Sequence, residues 1–292
     1  MWLNDALDWG VNLGASGLMG ISAPVLSRPA DDVIATSGTM SLRLASCEAD
    51  LYAAQTLRYE VFFEEMGANG TNNTCAAGRD VDRFDDICDH LIVTDEKDGK
   101  HQVVGTYRLL RHEVAMANGG FYTASEFDIE PLLARVPSGT KFLELGRSCV
   151  HPDYRNRPTI ELLWRGILFW ADKSVANVLF GCASLPGTAP EAIKEQLAIL
   201  HHNALAPEMW RVRPEDKVRV ETNCLDEGTY EAKQAFLGLP PLFKGYMRAG
   251  CWFSDGAFVD ENFNCTDVMI ILPSEQLNKK YRARLGVGSW GP

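Results

Sequence analysis

The sequence predicts an α+β protein with a mixed, mostly antiparallel central sheet flanked by helices. Short apolar or alternating runs of strand character recur at 41–45, 90–94, 102–111, 141–150, 178–183, 243–253 and 267–272. Helical periodicity occupies 48–66, a stretch opening at Pro158, and 190–205. In that order the elements contain one strand–helix–strand crossover, 141–183, so most neighbouring strands should run antiparallel.

Residues 1–40 carry Gly, Ser and Ala punctuation without a sustained period and read as an N-terminal extension. A single domain then spans 41–292. In the first helix Leu51, Ala54, Leu57, Val61 and Phe62 share a face, and Gly67 ends it. A polar loop, 69–88, follows. The Asp-Lys-Asp-Gly turn ending at Gly99 joins two strands as a hairpin. The strand 141–150 runs into His151-Pro152, and Pro158 suits the first turn of the next helix. Trp164, Phe169 and Trp170 on that helix, with Phe121 and Tyr122, are core residues by spacing and alternatively candidates to line an apolar tunnel. The adjacent His201 and His202 point to different helix faces and read as structural. The tail 279–284 is basic.

Composition narrows the function. At 46% hydrophobic and 23% charged the chain is globular, and no run approaches the roughly 18 apolar residues of a membrane span. The first 20 residues carry Asp5 and Asp8 in place of a basic leader region, so a cytoplasmic location is expected. Eight dispersed cysteines without a C-x-x-C pair read as reduced thiols, and no His/Cys/Asp spacing suggests a metal. Residues 1–140 hold 10 Lys and Arg against 21 Asp and Glu, which accounts for the whole net charge of -11. That excess argues against nucleic acid and suits a cationic or amine substrate.

Charged residues also interrupt apolar elements: Arg58 in a helix, Arg108 in a strand, and Glu144 with Arg147 on the next strand. Asp82 and Asp85 close the polar loop. Buried charges must be paired, so these groups are expected together. Asp82 and Asp85, three residues apart, are expected on one helical turn facing the sheet.

The segments Leu57–Phe62, Asp82–Asp85, Gly105–Leu110 and Glu144–Arg147 resemble, in order and spacing, the signature of the acyl-homoserine-lactone synthases. A closer resemblance covers about 42–285. The runs 119–128, 144–155, 180–188, 239–246 and 256–260 are similar to the ornithine lipid N-acyltransferases, sometimes labelled hemolysin-like. This resemblance implies the fold of the GCN5-related N-acetyltransferases (GNAT). It also implies transfer of a 3-hydroxyacyl chain from the phosphopantetheine of acyl carrier protein to the α-amine of ornithine, the first step of ornithine lipid synthesis, with no further cofactor.

The residues fit that implication. Coenzyme A-dependent members of the superfamily hold pyrophosphate with a glycine-rich turn at a helix N-terminus, whereas the stretch here, Arg155 to Ile160, has no glycine. Arg155 and Arg157 remain for the carrier's phosphate or acidic surface, with Cys149 and Val150 on the strand beside the acyl group and a backbone N–H near Cys149 for the oxyanion. Arg58, Asp82, Asp85 and Arg108 are candidates to hold the amino acid zwitterion. Glu144 is the candidate base, with Arg147 beside it. A lipid product places the enzyme at the inner surface of the cytoplasmic membrane, touched by the basic tail or the N-terminal arm. The alternatives are acylation of glutamine or lysine, an acyl-homoserine-lactone synthase, and a non-catalytic lipid-binding protein.

Overall fold

A computed structural model of the chain describes residues 33–69, 77–99, 101–215, 219–286 and Trp290; most of the predicted extension and the N-terminal arm lie outside the described residues. In chain order the elements are β1 Ala35–Ser37, β2 Met40–Leu44, α1 Glu48–Tyr59 with a π-helical continuation Glu60–Glu65, β3 Asp89–Asp95, β4 Gln102–Arg111, α2 His112–Ala117, β5 Phe127–Asp128, α3 Glu130–Arg135 and β6 Phe142–Val150. The second half adds α4 Arg157–Lys173, β7 Val178–Pro186, α5 Lys194–Ala204, β8 Arg213–Pro214, β9 Arg219–Val220, α6 Ala232–Gly238, α7 Pro241–Ala249, β10 Trp252–Phe253, β11 Ala257–Asp260, β12 Cys265–Pro273 and α8 Lys279–Leu285.

One sheet runs β1-β2-β3-β4-β6-β7-β12-β11-β9, with β10 also on β12. Among the described strands only β6 and β7 pair in parallel, across the crossover through α4. Side-chain alternation divides the core between the two faces. Leu42, Leu91, Val93, Leu143 and Leu179 pack with Leu162, Leu163, Trp164 and Ile167 of α4 on one face. Ile92 and Val103 meet Ala54 and Leu57 of α1 and Val61 of its π-helical continuation on the other. Gly166 lets α4 approach the sheet, since a Cβ there would stand 2.5 Å from Leu91 Cδ2. Each fully buried Leu or Ile stabilises the layers by about 1.5–3 kcal/mol.

The structure corrects two expectations. Residues 243–253 do not form one strand: Phe243, Tyr246 and Ala249 are buried at helical spacing on α7, which Pro241 opens and Gly250, at φ +96°, closes, leaving Trp252–Phe253 as strand. The sheet also starts before Ser41, because β1 pairs with β2.

The parallel pair is where the sheet opens. Pairing covers Phe142–Val178, Leu143–Leu179 and Glu144–Phe180 and then stops, although β6 continues to Val150 and β7 to Pro186. Two backbone features coincide with the separation. On β6 the ladder to β4 shifts register between Arg108 and Thr106, a bulge that places Arg147 at φ +48°. On β7, Gly181 at φ +154° lies so close to Leu145 that a Cβ would stand 2.1 Å from its carbonyl oxygen. Any side chain at this position would collide with β6.

The loop before β3 is tied to the bulge by a buried ionic network. Asp82 and Asp85 lie on one turn, with Asp85 N donating to Asp82 O at 3.1 Å, as their spacing predicts. Arg108 reaches Asp82 at 2.6 Å and Asp85 at 3.1 Å. Arg58 reaches Asp85 at 2.8 Å and Asp80 at 2.9 Å, and Arg147 reaches Asp80 at 3.0 Å and Asp82 at 3.2 Å. Three arginines from α1, β4 and β6 thus meet three loop aspartates. Asp80 was not singled out from the sequence.

Burial pushes the Asp85 carboxyl up, but the hydrogen bond and charge of Arg58, together with Arg108, hold it well below the usual carboxylate range. A group with a depressed folded-state pKa stabilises the protein above its unfolded value, about 3.9, and that contribution is lost as pH falls toward the folded value. Replacing Asp85 with Asn breaks a buried pair at a cost of about 3–5 kcal/mol. The variant's Tm at pH 7 should therefore fall by roughly 6–20 °C. The gap from wild type should narrow below about pH 4. Thermal melts across pH check this, and equal Tm values at pH 7 would remove the network from the stability of the fold.

Candidate active site

The separation of β6 and β7 is occupied by a cavity of about 590 Å³. Its walls include Leu145 to Val150 from β6, Cys182 to Ser184 and Pro186 from β7, Val61, Phe62 and Met66 after α1, and Leu242 and Tyr281 from α7 and α8. The volume and the mostly apolar lining suit an acyl chain.

Glu144 lies where the paired part of β6 ends, and its carboxyl is turned into the protein, 4% exposed. Oε1 accepts the Thr123 N–H at 2.7 Å and Oε2 the Tyr122 N–H at 3.0 Å, both from the turn Tyr122–Ser125. Burial pushes its carboxyl up, against the lowering effect of those donors and of Arg108. The pairing of Glu144 with Arg147 suggested by their sequence neighbourhood is not formed. The bulge sends Arg147 to Asp80 and Asp82, and its guanidinium stands 4.9 Å from the Tyr122 ring centroid and 4.5 Å from that of Phe263.

Ladder alternation assigns the neighbouring N–H groups. His151 N donates to Val104 O at 2.9 Å, and Cys149 pairs with Thr106 in the same register. The N–H of Cys149 therefore faces β4, while those of Ser148 and Val150 face the opening. The helix N-terminus beside them is partly occupied. Asn156 caps α4 by accepting from Thr159 N at 3.2 Å, and Pro158 has no N–H. Arg155 makes a two-pronged pair with Glu65, both contacts 2.5 Å, and donates to Val150 O. Arg157, whose side chain is 70% exposed, touches Glu161 at 2.8 Å.

Of the residues singled out from the sequence, Arg108, Glu144, Arg147, Cys149, Val150, Arg155 and Arg157 line the cavity. Arg58, Asp82 and Asp85 do not; they complete the network behind Arg108 and Arg147. Of the aromatic tunnel candidates only Tyr122 is in the lining. Trp164, Trp170 and Phe121 are core, and Phe169 packs against it. His201 and His202 bond Thr222 and Tyr230.

The cavity also holds Glu126, Asp260, Asp267 and Cys265, which sequence reading passed over. A signal was available, since Asp267 interrupts an apolar strand just as Glu144 does. Ligand atoms of Asp260, Cys265 and Asp267 lie within 4.8 Å of one another, a grouping that dispersed sequence spacing did not suggest. Burial, with Asp267 nearby, raises the Glu126 carboxyl well above its ordinary value, and burial raises that of Asp267.

Residues 57–165 match the acetyltransferase (GNAT) domain model. The chain is 46% identical to an L-ornithine N(alpha)-acyltransferase of Agrobacterium fabrum, over 85% of this chain and 86% of that protein. It is 45% identical to one of Rhizobium meliloti, over 88% and 87%. Among solved structures, the AHL synthase LasI aligns with 98% of its chain and 87% of this one, at 15% identity and a TM-score of 0.46. The opened parallel pair, the buried carboxylate beside it and this extent of identity make the protein an N-acyltransferase of the GNAT fold, and the chain belongs to the L-ornithine N(alpha)-acyltransferase family.

Proposed function

We propose that the protein transfers a 3-hydroxyacyl chain from acyl carrier protein to the α-amino group of L-ornithine, giving the one-chain lyso form of an ornithine lipid. The observation that carries this is Glu144, a buried carboxyl held by two backbone N–H groups in the lining of a mostly apolar cavity whose edge strand turns backbone N–H groups inward. The acceptor follows from the names of the relatives.

The thioester lies along the unpaired part of β6, its carbonyl oxygen toward the N–H of Val150 or Ser148. The neutral α-amine attacks the carbonyl carbon, forming the C–N bond, and its proton passes to Glu144 directly or through water. Those N–H groups stabilise the oxyanion. Its collapse breaks the C–S bond and releases the pantetheine thiolate, which takes up a proton from solvent. The Tyr122 and Thr123 amides fix the carboxylate that receives the amine proton. Arg58, Asp82 and Asp85 position Arg108 and Arg147, and Arg108, whose Nη1 is held by Asp82 and Asp85, meets the acceptor carboxylate with its other nitrogens where it lines the cavity.

A carrier-borne donor is supported by the occupied N-terminus of α4, where Asn156 and Pro158 leave little for a pyrophosphate. Arg157 is the arginine available to the carrier, because Arg155 is committed to Glu65. No described helix is long and apolar enough to cross a membrane. The product's acyl chain directs the enzyme to the inner face of the cytoplasmic membrane, where the exposed Lys279 and Lys280 of α8 can approach anionic lipid.

Two outcomes test this reading. With purified protein, acyl carrier protein should outperform acyl-coenzyme A by about 10² or more in kcat/KM, and Arg157→Ala should raise KM for the carrier alone; equal use of both donors would remove the donor argument. Glu144→Gln should lower kcat by about 10² or more. Because burial raises the Glu144 pKa, the acid limb of wild-type kcat/KM should lie above the ordinary glutamate value of about 4.3 and be missing in the variant. The amide places an NH2 against one of two N–H donors, so Tm should fall while the fold persists. A variant with wild-type turnover and an unchanged pH profile would leave Glu144 a purely structural role.

A further inference from the structure

We propose that the buried acidic wall of Glu126, Asp260 and Asp267 is the seat of the acceptor's side-chain ammonium, and that it selects a diamino acid over a neutral one. This rests on the acceptor reading above and assigns residues to its specificity.

The wall is continuous with the catalytic end of the cavity. Thr123, whose N–H holds Glu144, also accepts the Cys182 thiol at 3.7 Å on β7. Two residues further along β7, about 6.6 Å away in an extended strand, stands Ser184, paired in register with Asp267 of β12. Glu144, Thr123, Cys182 and Asp267 thus form one connected stretch of the cavity wall. Asp260, on β11, pairs with Cys265 at the start of β12, so two hairpin strands deliver carboxylates to one place.

The three acids are 5%, 7% and 4% exposed, and among the described residues none has an arginine, lysine or histidine at ion-pair distance. Their internal partners belong to the same wall: Glu126 bonds Cys182 and Asp267, and Asp267 also bonds Ser184. Asp260 Oδ1 accepts the Asn262 and Phe263 N–H groups, and Asp267 Oδ1 accepts the Cys265 thiol. Oε2 of Glu126 is buried with no hydrogen-bond partner at all. Burial without a cation beside them disfavours the ionised forms of Glu126 and Asp267, and an alkylammonium, with one charge and three N–H donors, would restore them. Around Arg58 the buried Asp80 and Asp85 are matched by arginines, whereas among the described residues no arginine or lysine meets the three acids of the cavity wall. Burial and Asp267 push the Cys265 thiol up, leaving it a hydrogen-bond donor and a poor metal ligand.

The test compares ornithine with norvaline, the same carbon chain without the terminal amine, using the full-length protein and acyl carrier protein as donor. Wild type should favour ornithine by 10²-fold or more in kcat/KM, and Glu126→Gln and Asp267→Asn should each shrink that ratio at least tenfold. Without donor, millimolar ornithine should raise the wild-type Tm and norvaline should not, a readout that stands even if a variant fails to fold. Unchanged ornithine-to-norvaline ratios in variants that fold, or equal Tm shifts from the two amino acids, would overturn the assignment while leaving ornithine acylation intact. A preference abolished by EDTA and restored by Mg²⁺ or Mn²⁺ would overturn it in favour of a metal site. A wild-type protein that acylates no diamino acid at all would overturn the acceptor reading itself.

Discussion

Everything at the site depends on the parallel pairing of β6 and β7 ending after Glu144 and Phe180. A parallel sheet normally continues its ladder, and unpaired backbone in the middle of a sheet leaves strong donors and acceptors without partners. Here the close contact of Gly181 with Leu145 and the bulge at Arg147 coincide with the end of that ladder. The result is a cavity reaching into the centre of the sheet with N–H groups on its edge. The backbone cost of the opening is borne where the chemistry needs free donors.

The ionic network holds that geometry from behind. Arg147 has left-handed φ, an arrangement that an arginine keeps only when its surroundings fix it, and Asp80, Asp82 and the rings of Tyr122 and Phe263 do so. Tyr122 connects the two systems, since its ring faces Arg147 and its N–H holds Glu144. The acids fall into two groups with opposite environments. Asp80, Asp82 and Asp85 are neutralised by arginines and serve the fold, whereas Glu126, Asp260 and Asp267 face the cavity without an arginine. Acidic residues so divided explain how a chain of net charge -11 keeps structural and receptive carboxylates in one domain.

Much of this was legible in the sequence. Strongly periodic segments such as α1 and α4, and strands interrupted by charge such as β4 and β6, announced both the layers and the buried polar groups. What stayed hidden had physical reasons. Short elements such as β1, β9 and α6 have too few residues to show a period. The segment 243–253 mixes aromatic residues of strand propensity with a helical spacing that tertiary packing favours. Which aspartate meets which arginine depends on a bulge and a loop turn, so the sequence identified Arg58, Asp82, Asp85 and Arg108 as belonging together without showing that three of them stand behind the cavity wall. Asp260 and Asp267 come together only through the β11–β12 hairpin.

The most direct test of the account is a structure of the protein with N-acyl-ornithine bound. The amide should lie between β6 and β7, its nitrogen toward Glu144 and its carbonyl oxygen toward the N–H of Val150 or Ser148, with the acyl chain along Phe62, Met66 and Leu242. A product seated instead in the second pocket, about 510 Å³ between Ile129, Arg135 and Arg213, with the opening between β6 and β7 empty, would contradict it.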